Sequence, residues 1–277
     1  MNLNRITVIG RDNRITVAKA LLAENGYTVE HVISRDALSR TDISDIILLP
    51  IPYKDALGRI KGTDITLNEL APRLTCDNYI ILGKADGDIT SLSDIIGFGI
   101  FDINEDLRFK KLNAIPTAEA ALGIAMQNTF HTMYGHSAIV CGYGCIAQAL
   151  ARLLVNMGVN VTVCARKHAD RIDAEYHGCS TIDFPQLAEC IASADMVFNT
   201  CPARVIGAKE LDKVKDGCIL IDLASRPGGI DHEYAKAHGI NSGLYLSLPD
   251  IYSPRTSGEN LYKMIHATVT ELRQKGA

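Results

Sequence analysis

The sequence predicts an α/β protein of two doubly wound, parallel-sheet domains in tandem, joined by a long helix. Three observations carry this. Short continuous apolar runs alternate with helical patterns along the chain, as expected for parallel strands covered on both faces. These runs fall into two series separated by one Ala-rich helical stretch. At 277 residues the chain is also long enough for two domains of about 100 to 150 residues, each able to bury a core without disulfides or metals.

The first series is Ile6–Ile9, Val29–Ile33, Ile46–Leu49 and Tyr79–Leu82, rich in β-branched residues and separated by amphipathic segments. Residues 83–108, rich in Gly and Asp, read as a loop. In NAIPTAEAALGIAMQNTFHTMYG, Pro116 and Thr117 make a helix start and Gly135 follows the last periodic residue, so a joining helix is expected there. The second series is Ala138–Cys141, Asn160–Cys164, Met196–Phe198 and Cys218–Asp222. From Arg255 to Lys275, apolar residues at Leu261, Met264, Ile265, Val269 and Leu272 recur at helical spacing. That terminal helix is expected to pack back on the first domain, giving domains of 1–115 completed by 255–277, and 116–254.

Apolar residues make up 47% and charged ones 22%, with a formal charge of -4, so nothing favours a nucleic-acid surface or an anionic membrane as partner. No run approaches the roughly 20 apolar residues of a membrane span. MNLNRITVIG enters a strand at once without a leader pattern, and a cytoplasmic location is expected. The eight cysteines show no CxxC pair or zinc spacing, and Cys141, Cys164 and Cys218 sit inside apolar runs, so reduced buried thiols and no metal site are expected.

Chemistry enters at VCGYGCIAQA, residues 140–149, where a strand runs through Gly142-Tyr143-Gly144 into a helix. Gly142 permits a tight turn, Gly144 lets the backbone approach a pyrophosphate, and Ala147 lets the helix pack on the strand. The N–H groups of Cys145 and Ile146 then open a helix whose positive end suits phosphate. A plain strand-to-helix turn is the competing reading. An NAD site usually carries Asp or Glu at the end of the next strand, but here Ala165, Arg166 and Lys167 stand there. A guanidinium pairs with a 2′-phosphate, so NADP is the expected cofactor with NAD possible; a solvated charge pair is the alternative.

Two further stretches, FNTCPARV and IDLASRPGGID, follow strand ends, where ligands of open α/β sheets bind. Thr200 and Pro202 are expected at the nicotinamide ribose, Ala224 and Ser225 beneath the ring and Leu223 at the cofactor beside them, with core packing as the alternative for Asp222, Leu223 and Ala224. Of His131, His136, His232, His238 and His266, none falls in a strand-end loop beside a carboxylate, so no catalytic histidine is named.

These stretches, with AIPTAEAAL and the LP and P-T-G elements of LPDIYSPRTSGENL, resemble the family of dipicolinate synthase A subunits from Asn113 onward. Asp250, Arg255 and Ser257 depart from its pattern. The resemblance implies a two-domain Rossmann-like enzyme that oxidises a dihydrodipicolinate-type precursor to pyridine-2,6-dicarboxylate with NADP or NAD during sporulation. It also implies a partner, a separately encoded, flavoprotein-like B subunit, and a homo-oligomer is expected. A small dicarboxylate needs cationic or hydroxyl clamps. Candidates are Thr117, Ser225, Arg226, Pro249 beside them, Lys84 and Arg204, with a surface or inter-loop ion pair the favoured alternative for both Arg204 and Arg226. Glu119 would serve as general base if buried, with Lys84 as the other catalytic candidate; for Glu119 a favourable charge near a helix N-terminus is the alternative. Two other functions stay open: an NADP-dependent dehydrogenase of another small carboxylate, of 2-hydroxyacid or shikimate type, and a non-catalytic dinucleotide sensor.

Overall fold

The computed structural model describes residues 3–129 and 131–275, the side chain of residue 275 excepted. The chain divides into two compact units: unit 1 is the described part of Met1–Asn113 with that of Ser253–Ala277, and unit 2 is Ala114–Tyr252.

Unit 1 runs β1 (Arg5–Ile9), α1 (Asn13–Glu24), β2 (Thr28–Val32), α2 (Arg35–Arg40), β3 (Ile46–Leu48), α3 (Leu67–Leu70), β4 (Tyr79–Leu82), α4 (Gly87–Ile96), β5 (Gly99–Asp102) and the first turns of α5 (Leu107–Asn128). Its five strands are all parallel in the order β2-β1-β3-β4-β5. Side chains alternate between two cores: Ile6, Val8, Ile46 and Leu48 on one face, Ile9, Ile47, Leu49 and Leu82 on the other. Both faces are therefore covered, which explains the unbroken apolar runs.

Unit 2 continues with the rest of α5, then β6 (Ser137–Cys141), α6 (Cys145–Asn156), β7 (Asn160–Cys164), α7 (His168–Tyr176), β8 (Ser180–Ile182), α8 (Leu187–Cys190), β9 (Met196–Asn199), α9 (Ala208–Leu211), β10 (Ile219–Asp222), α10 (His232–Ala237), β11 (Asn241–Leu244) and α11 (Leu248–Tyr252). Its parallel sheet is ordered β11-β10-β9-β6-β7-β8. Val140, Val163 and Phe198 face one core, Ile139, Val197 and Leu220 the other.

The last helix, α12 (Pro254–Lys275), belongs to unit 1. Leu261, Ile265 and Val269 are fully buried in the same core as Ile15, Ala18 and Leu22 of α1. A Cβ on Gly258 would lie 2.5 Å from Cβ of Val17, so the two helices meet where glycine leaves room.

Two expectations are corrected. The joining helix starts at Leu107, nine residues before Pro116, which lies inside it. Its start signal is Asp106, whose carboxylate accepts the Phe109 N–H at 2.7 Å. Pro116 removes one N–H from the ladder, and the fully buried Ala118, Ala121 and Ala125 hold the later turns in the unit 2 core. Nor are residues 83–108 all loop: α4 is capped by Asp86, which accepts N–H groups of Asp88 and Ile89, and stops at Gly97 in the left-handed region, after which β5 adds an edge strand.

One pH effect follows from unit 1. Lys19 Nζ lies 3.0 Å from His31 Nδ1, and a lysine ammonium only donates, so Nδ1 accepts. The ring then carries its proton on Nε2 and donates to the Gly10 carbonyl at 2.8 Å. Burial holds His31 below the ordinary histidine range, with Lys19 and Arg11 adding to the effect. The folded chain keeps the ring neutral while the unfolded chain takes a proton below about pH 6.5. Stability is therefore lost as pH falls through that value. Calorimetric unfolding midpoints should drop between about pH 7.5 and pH 5, and His31→Gln should remove part of that slope; an unchanged slope would assign the drop elsewhere.

Candidate dinucleotide site

In unit 2 the chain leaves β6 toward β7 and β8 on one side, then returns to β9, β10 and β11 on the other. The sheet reverses direction between β6 and β9, and such a switch opens a crevice at the strands' carboxyl ends. Gly142-Tyr143-Gly144 follows β6 there, and Thr200-Cys201-Pro202 follows β9.

The two glycines have different tasks. Gly142 has φ +92°, and a Cβ on it would lie 2.5 Å from Thr200 Oγ1 and 3.1 Å from Cys201 Sγ. Its N–H donates to the Cys164 carbonyl at 2.9 Å, while the Thr200 N–H and hydroxyl donate to the Cys141 carbonyl at 2.9 and 2.8 Å. Gly142 is thus required by the protein's own packing. Gly144 is not: its φ is -80°, and a Cβ would meet no atom within 4 Å. It caps α6 without a side-chain hydrogen bond, so no capping side chain occupies the first N–H groups of that helix. This is the cradle that a pyrophosphate fits. Ala147 is fully buried, letting α6 close on β6.

Around the turn, Tyr143 is buried in the apolar core, and burial pushes its phenol up to about 12. Its carbonyl accepts from Gln148 Nε2 at 3.1 Å; its contribution to a ligand is backbone. Cys145 and Ile146 are half-buried in the first turn of α6. At the end of β7, Ala165 is buried, whereas Arg166 and Lys167 are exposed. Neither side chain forms a hydrogen bond or ion pair among the described residues. Arg171 of α7 holds their backbone, donating to the carbonyls of Ala165 at 2.6 Å and Arg166 at 3.0 Å. Burial raises the Cys201 thiol to about 11, and the Arg166 charge opposes that rise.

The loop after β10 is organised by Asp222, whose side chain is fully buried. Oδ1 accepts from Asn199 Nδ2 at 2.7 Å and from the Ala224 N–H at 3.0 Å. Oδ2 accepts the N–H groups of Gly229 and Ile230 at 2.7 and 3.1 Å. His232 Nε2 lies 3.3 Å from Oδ2, and its Nδ1 lies 3.1 Å from Ser242 Oγ. This corrects the sequence expectation: one histidine does stand beside a strand-end carboxylate. Both of its ring nitrogens are engaged within the fold, so it positions the loop. Asp222, Asn199 and His232 went unnamed as site residues; the signal was an Asp closing the apolar run of β10.

Held by that network, Leu223 and Ala224 are buried while Ser225 and Arg226 are exposed. Pro202 is exposed beside half-buried Thr200. The structure thus aligns Gly142 to Ile146, Ala165 to Lys167, Thr200, Pro202 and Leu223 to Arg226 along the carboxyl ends of four adjacent strands. The remaining candidates stand on other elements. Thr117 and Glu119 are on α5, the first buried and the second exposed, so the burial that a base role for Glu119 depends on is absent. Glu119 is also the thirteenth residue of α5, far from its N-terminus. Pro249 is buried in α11. Lys84 follows β4 in unit 1 with φ +66°, held there as Asp102 accepts its N–H at 3.0 Å and that of Ala85 at 2.6 Å. Such conformations concentrate at functional sites. Arg204 pairs with Asp231 at 2.8 Å, the ion-pair role expected of it. Among the described residues no cluster of three or more His, Cys, Asp or Glu could hold a metal, and no helix is long and apolar enough to cross a membrane.

Residues 117–241 match the D-isomer specific 2-hydroxyacid dehydrogenase, NAD binding domain. That match supports a nicotinamide dinucleotide as the ligand of the crevice. The A subunit of dipicolinate synthase from Bacillus subtilis (strain 168) is 32% identical over 161 residues, 58% of this chain and 54% of that protein. The chain thus aligns in sequence with about half the length of this curated relative. Among solved structures, the dipicolinate synthase A chain from Bacillus subtilis superposes with TM-score 0.87 at 25% identity, covering 98% of this chain and 97% of that one. The counterpart from Bacillus halodurans gives 0.88 at 24%, covering 96% and 97%. The chain is therefore similar to the A subunit of dipicolinate synthase in sequence and, over nearly its whole length, in its two-sheet Rossmann-like fold.

Proposed function

We propose that this relative of the dipicolinate synthase A subunit is an NADP-dependent oxidoreductase that converts a dihydrodipicolinate-type diacid to pyridine-2,6-dicarboxylate. The observation that carries the dinucleotide part is the open approach over Gly144 at an uncapped helix start, flanked by two uncommitted cations. Gly142 turns the chain, and the N–H groups from Tyr143 to Ile146 hold the pyrophosphate. Arg166, assisted by Lys167, pairs with the ribose 2′-phosphate, and Ala165 leaves the adenosine side free of a repelling carboxylate. Thr200 and Pro202 border the nicotinamide ribose, and Leu223 and Ala224 form an apolar floor that excludes water.

When bound, the cofactor supplies a hydride acceptor. Aromatisation of the ring provides the driving force, so the chain's work is orientation and removal of one proton. Ser225 and Arg226 lie on the loop that Asp222 shapes, and they take one carboxylate of the diacid. Thr117 and Pro249 complete the substrate contacts. Lys84 and Glu119, both exposed, are the acid–base candidates of this reading. Unit 1 is read as the substrate domain and unit 2 as the dinucleotide domain. The partners are further copies of this chain and a flavoprotein-like B subunit.

The match to a hydroxyacid dehydrogenase domain favours one second reading, oxidation of another small carboxylate such as a 2-hydroxyacid. Both are tested together by supplying the dihydrodipicolinate precursor or a 2-hydroxyacid with NADP or NAD, with and without the B subunit, and following ultraviolet absorbance. Dipicolinate and NADPH should appear together; cofactor reduction by the hydroxyacid alone would transfer the assignment to the second reading. Arg166→Ala should weaken NADPH about tenfold or more, the loss of a charged phosphate contact, and change NADH less than about twofold. Equal losses would refute the preference.

A further inference from the structure

We propose that unit 1 carries a carboxylate-binding subsite of its own at the turn after β1, with Arg11 as the residue that takes the ligand's charge. The sheet of unit 1 also has a switch point: from β1 the chain passes to β2 on one side and β3 on the other. Ligands of open α/β sheets bind at the carboxyl ends flanking such a point. Here those ends lead into Gly10-Arg11-Asp12 after β1 and into residues 49–53 after β3.

The turn is held from several sides. Gly10 has φ +93°, and a Cβ on it would lie 2.5 Å from the Lys61 carbonyl oxygen and 2.8 Å from Pro50 Cγ. Its N–H donates to the Val32 carbonyl at 2.9 Å, and its own carbonyl accepts from His31. The Arg11 N–H donates to the Lys61 carbonyl at 3.1 Å, and a Cβ on Gly62 would lie 2.7 Å from Arg11 Cγ. The backbone of Arg11 is thereby held, and its side chain starts against Gly62.

The surroundings are cationic. Arg14, buried beneath the turn, donates to Asp12 Oδ2 at 2.8 Å and to the Ile51 carbonyl, and Lys61 Nζ lies 3.9 Å from the same Asp12 oxygen. Asp12 also caps α1 through the Ile15 N–H at 2.9 Å. This carboxylate is thus shared among its neighbours. On the other side stands His31, kept below the ordinary histidine range by burial first, with Lys19 at 3.0 Å and Arg11 adding to the effect.

Arg11 and Arg108 are the arginines of unit 1 whose side chains form no hydrogen bond or ion pair among the described residues, and of these two Arg11 stands in the loop at the switch point. Arg5, Arg14, Arg35, Arg40, Arg59 and Arg73 of the same unit each hold a carboxylate or a carbonyl. Arg11 is exposed, and its side chain makes no hydrogen bond or ion pair among the described residues. An uncommitted guanidinium in a positive field at a switch point suits a planar anion held by two parallel hydrogen bonds. The ligand class is a small carboxylate; that it is the diacid of the oxidation rests on the function proposed above.

The test is calorimetric titration of the intact, NADP-saturated chain with dipicolinate and, separately, with lactate as a 2-hydroxyacid. Arg11→Gln should weaken the acid that wild type binds by about tenfold or more, Arg11→Lys should recover part of it, and NADPH affinity should stay within about twofold of wild type. Equal dipicolinate affinity in wild type and Arg11→Gln overturns the subsite and leaves the oxidation reading standing. Lactate bound through Arg11 with no dipicolinate binding keeps the subsite and removes the diacid. If wild type binds neither acid, the subsite is overturned.

Discussion

Asp222→Ala is expected to lower the stability of unit 2 by about 3 to 5 kcal/mol, the range for breaking a buried, fully hydrogen-bonded charged group. The alanine leaves the N–H groups of Ala224, Gly229 and Ile230 and the amide of Asn199 without their acceptor, and each buried unsatisfied donor costs about 1 to 3 kcal/mol. A unit of this size should lose about 10 °C in its unfolding midpoint. Asp222→Asn keeps the shape but turns an N–H₂ group toward donors, so an intermediate loss is expected. Because a two-unit chain need not unfold in one step, hydrogen exchange at Gly229 and Ile230 is the sharper readout. Wild-type protection of those amides in Asp222→Ala would show that the loop carrying Ser225 and Arg226 is held by something else.

Gly142→Ala and Gly144→Ala should separate two effects that spacing alone merges. At Gly142, alanine meets a left-handed φ and a Cβ 2.5 Å from Thr200 Oγ1. Strain and the disturbed Thr200 hydrogen bond together cost about 2 to 3 kcal/mol, with NADPH binding lost along with the turn. At Gly144 the backbone is extended and the space is open, so stability should move by no more than about 1 kcal/mol. NADPH affinity should nevertheless fall about tenfold or more, because the methyl group occupies the path of the pyrophosphate. Thermal unfolding beside NADPH titration checks both; a Gly144→Ala chain that binds as wild type would place the phosphates elsewhere.

Much of this fold was legible because central strands of parallel sheets are apolar on both faces. The strands that went unread, β5, β8 and β11, all lie at sheet edges and are half-exposed, so GIFD, STI and NSGL lack the unbroken apolar signature. The signals for α4 were present in Asp86 and Gly97 but were masked by a Gly- and Asp-rich context. Pro116 misled because proline usually opens a helix, whereas burial of the alanines after it outweighs one missing hydrogen bond. In the site, the glycine turn could be read because its strand–turn–helix geometry is local. The Asp222 network could not: Asn199 and Asp222 are brought side by side by pairing of β9 with β10, and Ser242 by pairing of β10 with β11.

The return of α12 to unit 1 also orders the protein's birth. Ile15, Ala18 and Leu22 of α1 pack in one core with Leu261, Ile265 and Val269, yet the whole of unit 2 is translated between them. At roughly 5 to 20 residues per second, those intervening residues take about 7 to 30 seconds to synthesise. Through that interval the first-made segment lacks the helix that covers this face of α1, whereas unit 2 has all of its own strands by the time α12 is made. The segment made first is thus completed last.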